Sequence, residues 1–491
     1  MIDTPHVDWL ALSPSIALLG AAGLCLIIAV TGEASTRRDL AGIFTFAGFV
    51  GAAGLAVLVY DRSPEAASLI ADSMSRDRLA ALTQIVLAAA GAVAVMIAWS
   101  DRRRDHVGEF YALLATAGAG LLFFVSATNL MTLFLGLEWF SIPLYILCAM
   151  DTHRKRSLEA GLKYLIVGAF GSAILLFGCA LVYGATGTLS FEEIRLAGAA
   201  DDPLFVGGLA MLLVGLGFKA SAAPFHMWTP DVYQGAPTSV TAFMSATTKI
   251  AAVVVTLRLL VTSFPEQAEI WTVVLAVLVC LSLAVGNLAA LAQKDVKRML
   301  AYSSVSQAGF MLIAILANNE TGAKALLYFL VPYAAASLGA FAVVAARERE
   351  LGRQVTVDTF AGFGWERPLL GAAMWIFMLG FAGFPLTGGF LGKFYVFAAA
   401  FEAGEWWIVV VGVVATAVSI AYYLGLVRAM YMRPGAAPSA PGVPAVAGGS
   451  PPPERALGAA ALICVVVVVG SFFAVQPMVD LARDAAAVLP F

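Results

Sequence analysis

The chain has 491 residues, of which 61% are hydrophobic and 12% are charged. A soluble globular protein carries roughly 25% charged residues, so this composition argues against a water-soluble fold. The net charge of -3, with no run of five like charges, gives no electrostatic footprint for nucleic acid.

Met1 to Leu10 contains two aspartates and no lysine or arginine, so it lacks the basic start of a signal or transit peptide, and the first apolar stretch is expected to be retained. Apolar stretches long enough to cross a bilayer then recur along the chain. They predict fourteen helices, near 12–31, 40–60, 79–99, 108–126, 128–150, 160–184, 205–226, 237–263, 270–291, 296–318, 324–346, 367–400, 406–430 and 456–477. The twelfth is too long for one straight crossing and holds Gly383, Pro385, Gly388 and Gly389 at its middle, so it should be broken in two. The predicted fold is an all-α polytopic membrane protein of about fourteen transmembrane helices.

Cytoplasmic loops hold an excess of Lys and Arg. Of the 29 such residues, 18 lie in connections that follow odd-numbered helices: Arg37 and Arg38, Arg102 to Arg104, Arg154 to Arg156, Lys294 to Arg298, Arg347 to Arg367, and Arg428 to Arg455. Six lie on the opposite side: Arg62, Arg76, Arg78, Arg195, Lys324 and Arg483. This bias puts both termini outside the cytoplasm. The Pro, Gly and Ala rich stretch from Met432 to Arg455 is expected to be an extended or disordered cytoplasmic linker.

The five cysteines (Cys25, Cys148, Cys179, Cys280, Cys464) sit in apolar segments and never reach CxxC spacing, and the four histidines are scattered. Neither an iron–sulfur cluster nor a zinc site is supported, and the chain is expected to carry no redox centre or metal of its own.

Five positive residues remain, all inside predicted helices: Lys163, Lys219, Lys249, Arg258 and Lys393. The acid well inside a helix is Glu138, in LFLGLEWFSIPLYIL. A charge at mid-membrane costs about 2.5–3.5 kcal/mol, so this set is expected to face itself or water inside the bundle. Arg258 lies near a helix end, where snorkelling to the interface would account for it, and Lys163 lies near the cytoplasmic end of its helix. Lys219, Lys249, Lys393 and Glu138 have no such account. Lysine suits proton handling because burial and a movable counter-ion bring its pKa towards neutrality, whereas arginine stays charged. The polar set is therefore read as a path for protons.

Lys219 sits in LGFKASAAPFHMW, just before Pro224, and Lys393 ends AGFPLTGGFLGK. Breaks in membrane helices free backbone groups that must meet water or polar side chains, and such helices mark transport sites in repeat-built carriers. Helices four to eight and nine to thirteen each place a broken, lysine-bearing helix fourth in order. They predict two five-helix repeats, inverted relative to one another because five is odd, with helices 7 and 12 broken. The segments are then 1–107, 108–263, 264–430, the linker 431–455, and 456–491.

Three motifs, HMWTPDVYQGAPTSVTAFMSATTKIA, KDVKRMLAYSSVSQAGF and FPLTGGFLGKF, closely resemble the antiporter-like membrane subunits of proton-pumping NADH:quinone oxidoreductase, respiratory complex I. The resemblance runs from about Gly108 to Arg428. Within that family the chain is most similar to the subunit N branch. The M branch usually has glutamate at the place of Lys393, and the L branch continues into a long lateral helix.

The resemblance implies that Glu138 pairs with Lys219, that Lys249 is a central relay, that Lys393 donates protons towards the outer side, and that Lys163 assists near the uptake side. Ser303, Ser304, Ser306 and Gln307 would hold water between them. Family members often have histidine where this chain has Gln307, so an imidazole relay is in doubt there. The resemblance further implies a non-redox subunit of a translocase in a bacterial inner membrane, with NADH, FMN, iron–sulfur clusters and quinone held by partner subunits. Its partners would be a neighbouring antiporter-like subunit, smaller membrane subunits and the lipid bilayer. Three alternatives remain: a subunit of a multisubunit cation/proton antiporter, a passive spacer in a membrane arm, and a solute carrier, for which no substrate pocket is visible.

Overall fold

The structure, a computed structural model, describes residues 7–33, 36–101, 105–199, 202–434 and 455–491. Most of the expected 431–455 linker, Arg102 to Arg104 of the charge count, and Met1 to His6 lie outside the described residues.

Three helices open the chain, α1 (Trp9–Thr31), α2 (Arg37–Asp61) and α3 (Arg78–Trp99). A hairpin of β1 (Ala67–Leu69) and β2 (Met74–Arg76), with Ser68 opposite Ser75, joins the last two. The next group is α4 (Val107–Phe124), α5 (Leu130–Cys148), α6 (Lys155–Thr186), α7 (Phe191–Leu196), α8 (Pro203–Ala220), α9 (Trp228–Gly235) and α10 (Thr238–Ser263). It is followed by α11 (Ala268–Leu291), α12 (Val296–Leu316), α13 (Glu320–Leu351), α14 (Phe363–Glu366), α15 (Pro368–Ala382), α16 (Gly388–Glu402) and α17 (Trp406–Met432). Helices α18 (Arg455–Phe473) and α19 (Val475–Ala486) close the chain.

Among the described residues 13 helices are long and apolar enough to cross a membrane. The shorter helices α15 and α16 lie where the twelfth, broken helix was expected. Side chains at the helix starts satisfy the free N–H groups there: Asp8 accepts from Leu10 and Ala11, Asp77 from Ala80, Asn129 from Met131, Asp202 from Leu204 and Asp295 from Arg298.

Helix α10 is buried along its length apart from part-exposed Thr262, as a helix surrounded by others must be. It packs on α3, α8, α12 and α13. Peripheral helices show the opposite pattern, with Ile27 on α1, Phe170 on α6, Val273 on α11 and Val413 on α17 all exposed. Apolar side chains turned outward on this scale fit a hydrocarbon surround rather than water.

Both expected breaks are present, and they close alike. Helix α8 ends on Ser221 with φ 62°, and α15 ends on Gly383 with φ 79°. In each, the next N–H reaches back five residues, from Ala222 to Gly217 O (2.8 Å) and from Phe384 to Leu379 O (3.0 Å). This is the left-handed helix stop that satisfies carbonyls otherwise orphaned. The packing is alike as well: α4 lies on α5 and α11 on α12, α6 on α8 and α9, and α13 on α15 and α16.

Some expected boundaries shift. The seventh helix stops at Ala220 rather than 226, because the left-handed Ser221 and Pro224 cannot continue it. Gly388 and Gly389 do not lie in the twelfth helix's gap but open α16. A Cβ on Gly389 would sit 2.0 Å from Gly380 O, so close backbone approach, not chain reversal, requires that glycine. The fourteenth helix ends at Phe473, and the polar, amphipathic α19 beyond it packs on α3 and α13.

Candidate functional site

Lys219, in the last turn of α8, is 1% exposed. Its Nζ donates to Ser141 Oγ (2.6 Å) on α5 and Tyr164 OH (3.4 Å) on α6. The rings of Phe140, Tyr164 and Tyr145 lie 4.7, 5.3 and 5.8 Å from it. Glu138, on the same helix as Ser141, accepts a hydrogen bond from Ser172 instead. No ion pair within 4.0 Å joins Glu138 to Lys219 among the described residues, so the expected pair is not a direct contact: Ser141 occupies the lysine.

Lys249, midway along α10, is 0% exposed and donates to Ser304 on α12. The ring of Tyr233 lies 5.5 Å away. Little more than one turn of α12 carries Ser303, Ser304, Ser306 and Gln307, all buried. Ser303 and Tyr423 of α17 share a hydrogen bond of 2.5 Å, and Gln307 Nε2 donates to Tyr423 OH at 3.2 Å. The Ser306 hydroxyl is buried without a hydrogen-bond partner among the described residues. Buried polar groups of this kind are ordinarily met by water.

Lys393, in α16, folds back onto the end of α15. Its Nζ donates to Phe381 O (2.8 Å) and Ala382 O (3.4 Å), carbonyls that the break has freed, and sits 4.2 Å from the Phe310 ring centre. Gln307 Nε2 donates to the same Phe381 O at 3.0 Å. The break thus supplies the acceptor that holds the lysine.

Lys163 differs from these three. Its side chain is 43% exposed and bonds Glu159 (2.7 Å) and Asp231 (2.8 Å). Asp231, on α9, also pairs with Arg298 at 2.5 Å. Arg258 does not snorkel. It forms an ion pair with Asp77 at 2.8 Å, with 4% and 2% side-chain exposure. Burial works against ionising Asp77, but the Arg258 guanidinium and the Ala80 N–H hold its carboxyl below the usual carboxylate value.

The sequence reading missed Asp77, Asp231, Tyr233 and Tyr423. Asp231 and Tyr233 lie inside the quoted HMWTPDVYQGAP motif, where an acid and a tyrosine in an apolar half-helix were a usable signal. Tyr423 and Asp77 gave none, because their partners come from helices more than a hundred residues away. Among the described residues no three His, Cys, Asp or Glu side chains gather as metal ligands.

The profile of the family described as NADH:quinone oxidoreductase/Mrp antiporter, TM, matches residues 127–419. The chain is 39% identical to NADH-quinone oxidoreductase subunit N of Trichlorobacter lovleyi over 424 residues, 85% of this chain and 86% of that one. It is also 39% identical to NADH-quinone oxidoreductase subunit N of Hirschia baltica, over 86% of this chain and 88% of that one. A chain of respiratory complex I from Thermus thermophilus aligns with a TM-score of 0.79 at 34% identity, covering 96% of this chain and 99% of that one. A chain of the Mrp complex from Dietzia sp. aligns with a TM-score of 0.86 at 23% identity, covering 98% and 97%, which is a likeness of fold.

Proposed function

Since the chain belongs to the NADH:quinone oxidoreductase/Mrp antiporter membrane-subunit family, and within it to the subunit N group of NADH-quinone oxidoreductase, we propose that it moves protons across the bilayer through Lys219, Lys249 and Lys393. One observation carries the reading. Three amines on three helices are buried in the protein interior, each held by hydroxyl or carbonyl oxygens and none, among the described residues, by a carboxylate within 4.0 Å. An amine held by neutral oxygens in a low-dielectric interior can lose its proton without stranding a buried anion, so it can load and unload.

Glu138, one turn before Ser141 on α5 and held by Ser172, tunes the first site without touching Lys219. Lys249 receives the proton at the centre. Lys393, on the carbonyls of the second break, passes it outward. The two five-helix units are inverted repeats, and the positive loops that follow odd-numbered helices face the cytoplasm of a bacterial cell, leaving both termini on the periplasmic side. Electron transfer from NADH through FMN and iron–sulfur clusters to quinone takes place in partner subunits. This chain contributes no redox step and docks on a neighbouring antiporter-like subunit and smaller membrane subunits.

The test is proton pumping per NADH oxidised by the assembled complex in proteoliposomes, with Glu138→Gln, Lys219→Ala, Lys249→Ala and Lys393→Ala introduced singly. Each change is expected to lower pumping while the complex still assembles. Normal pumping by all four would overturn the reading. Sodium-dependent exchange without NADH would favour a cation/proton antiporter instead.

A further inference from the structure

Helix α10 is buried through its first half, and one of its faces there is polar from end to end. Thr238, Thr241, Ser245 and Lys249 are spaced three, four and four residues apart, which stacks them along a single side of the helix. The stripe spans roughly 16 Å, from the start of the helix to the central lysine. Every member is buried.

The seam that this face lines is polar on its other walls too. Thr241 Oγ1 donates to Tyr233 O at 3.1 Å, and Ser245 Oγ lies 2.7 Å from Ser337 Oγ on α13. Tyr333 OH donates to Ser245 O at 2.8 Å. At the bottom, the fully buried Tyr233 ring lies beside Lys249, its centre 5.5 Å from the amine.

At the top stands a titratable pair. Lys297 of α12, 4% exposed, donates to Ala236 O (2.8 Å) and Thr238 Oγ1 (3.0 Å), with its Nζ 3.9 Å from a Glu348 carboxylate oxygen. Thr238 in turn donates to Glu348. Glu348 keeps 17% of its side chain exposed. Thr238, Lys297 and Glu348 line a cavity of about 2550 Å³ at the end of the molecule where the positively charged connections gather. Lys297 had been counted among loop charges; the structure buries it at the mouth of this seam.

We propose that Glu348 and Lys297 form a proton-loading mouth and that the hydroxyl stripe Thr238, Thr241 and Ser245 conducts from it to Lys249. Lys249 is then filled from the charged end of the molecule by a second route, beside the one through Lys219. This rests on the proton-translocating reading of Lys249. The threonine beside the carboxylate bridges to the seam, and the hydroxyls below it, each both donor and acceptor, carry the proton along the stripe towards Lys249.

The experiment uses the assembled complex in proteoliposomes and follows initial proton uptake per NADH oxidised. Thr241→Val with Ser245→Ala keeps the volume close to native and removes two relay hydroxyls. Uptake is expected to fall roughly fivefold, the loss of about one hydrogen-bonding step. Thr247→Val lies on the opposite face of the same helix and is expected to pump normally. Glu348→Gln should match the stripe double variant, and Glu348→Asp should restore pumping with a shifted pH profile, which a merely structural role would not do. Lys249→Ala is run alongside. If it abolishes pumping while the stripe variants and Glu348→Gln pump normally, the route is wrong and the central relay stands. If Lys249→Ala also pumps normally, the proton-translocating reading itself fails. Should the double variant not assemble, Glu348→Gln at the solvent-facing mouth carries the same test.

Discussion

Lys393 and Gln307 donate to the same atom. The carbonyl oxygen of Phe381, freed at the end of α15, accepts from Lys393 Nζ at 2.8 Å and from Gln307 Nε2 at 3.0 Å. A carbonyl has two lone pairs, so both bonds can stand together. An amide also holds Tyr423 OH at 3.2 Å, which ties the lysine's acceptor to α17. Glutamine cannot titrate, yet here it positions the acceptor for a group that can.

Gln307→Leu should therefore leave the complex assembled and weaken Lys393's setting by about one neutral hydrogen bond, roughly 1 kcal/mol or fivefold in pumping rate. Gln307→His keeps a donor and should retain more activity than Gln307→Leu. Comparing the two variants in proteoliposomes checks this. Equal loss in both would show that the amide's donor role is irrelevant.

The Asp77 and Arg258 pair predicts a stability effect. Removing only one partner, as in Arg258→Met, strands the other charge in the interior and should cost about 3–5 kcal/mol. The Asp77→Asn, Arg258→Met double variant should recover much of that. The acid response has a defined sign. Asp77's folded pKa is depressed, so its contribution is fully present above the unfolded carboxylate value near about 4 and is lost as pH falls through the lower folded value. Thermal melts of detergent-solubilised complex at descending pH should show an acid-side loss in the native protein that is absent from the double variant.

Gly389→Ala should be disruptive although glycine-to-alanine changes in helices normally help. A Cβ there would meet Gly380 O at 2.0 Å, backbone against backbone, so α15 and α16 must separate. Overpacking of this kind costs about 1–3 kcal/mol. Reduced assembly on native gels, with Gly20→Ala on open α1 as the harmless comparison, is the expected result.

Lys163 should matter less than the three buried lysines. It is 43% exposed and already has two acidic neighbours, so its pairs resemble surface ion pairs worth about 0–1 kcal/mol. Lys163→Ala is expected to lower pumping modestly, and less than Lys219→Ala does in the same preparation. A loss equal to that of Lys219→Ala would place Lys163 in the main path.

Much of the fold was legible because a bilayer imposes its pattern on the chain itself. Apolar runs had to be about twenty residues long, Gly383 and Pro385 had to interrupt one, and lysines such as Lys219, Lys249 and Lys393 stood out against them. The family motifs then attached roles to those positions. What composition could not separate was one buried charge from another. Arg258 and Lys249 sit nine residues apart on one helix. Which of them finds a carboxylate depends on α3, brought in from 181 residues away.

From the sequence alone came the membrane class, the helix count, the two interrupted helices and the candidate lysines, because each follows from the local balance of apolar and polar residues. Tertiary structure alone decided the partners. It placed Ser141 rather than Glu138 on Lys219, set the broken end of α15 under Lys393, paired Asp77 with Arg258, and turned Lys297 from a loop charge into the head of a buried hydroxyl seam. Hydrogen bonds and ion pairs act over about 3 Å, and which atoms come that close depends on how helices distant in sequence pack.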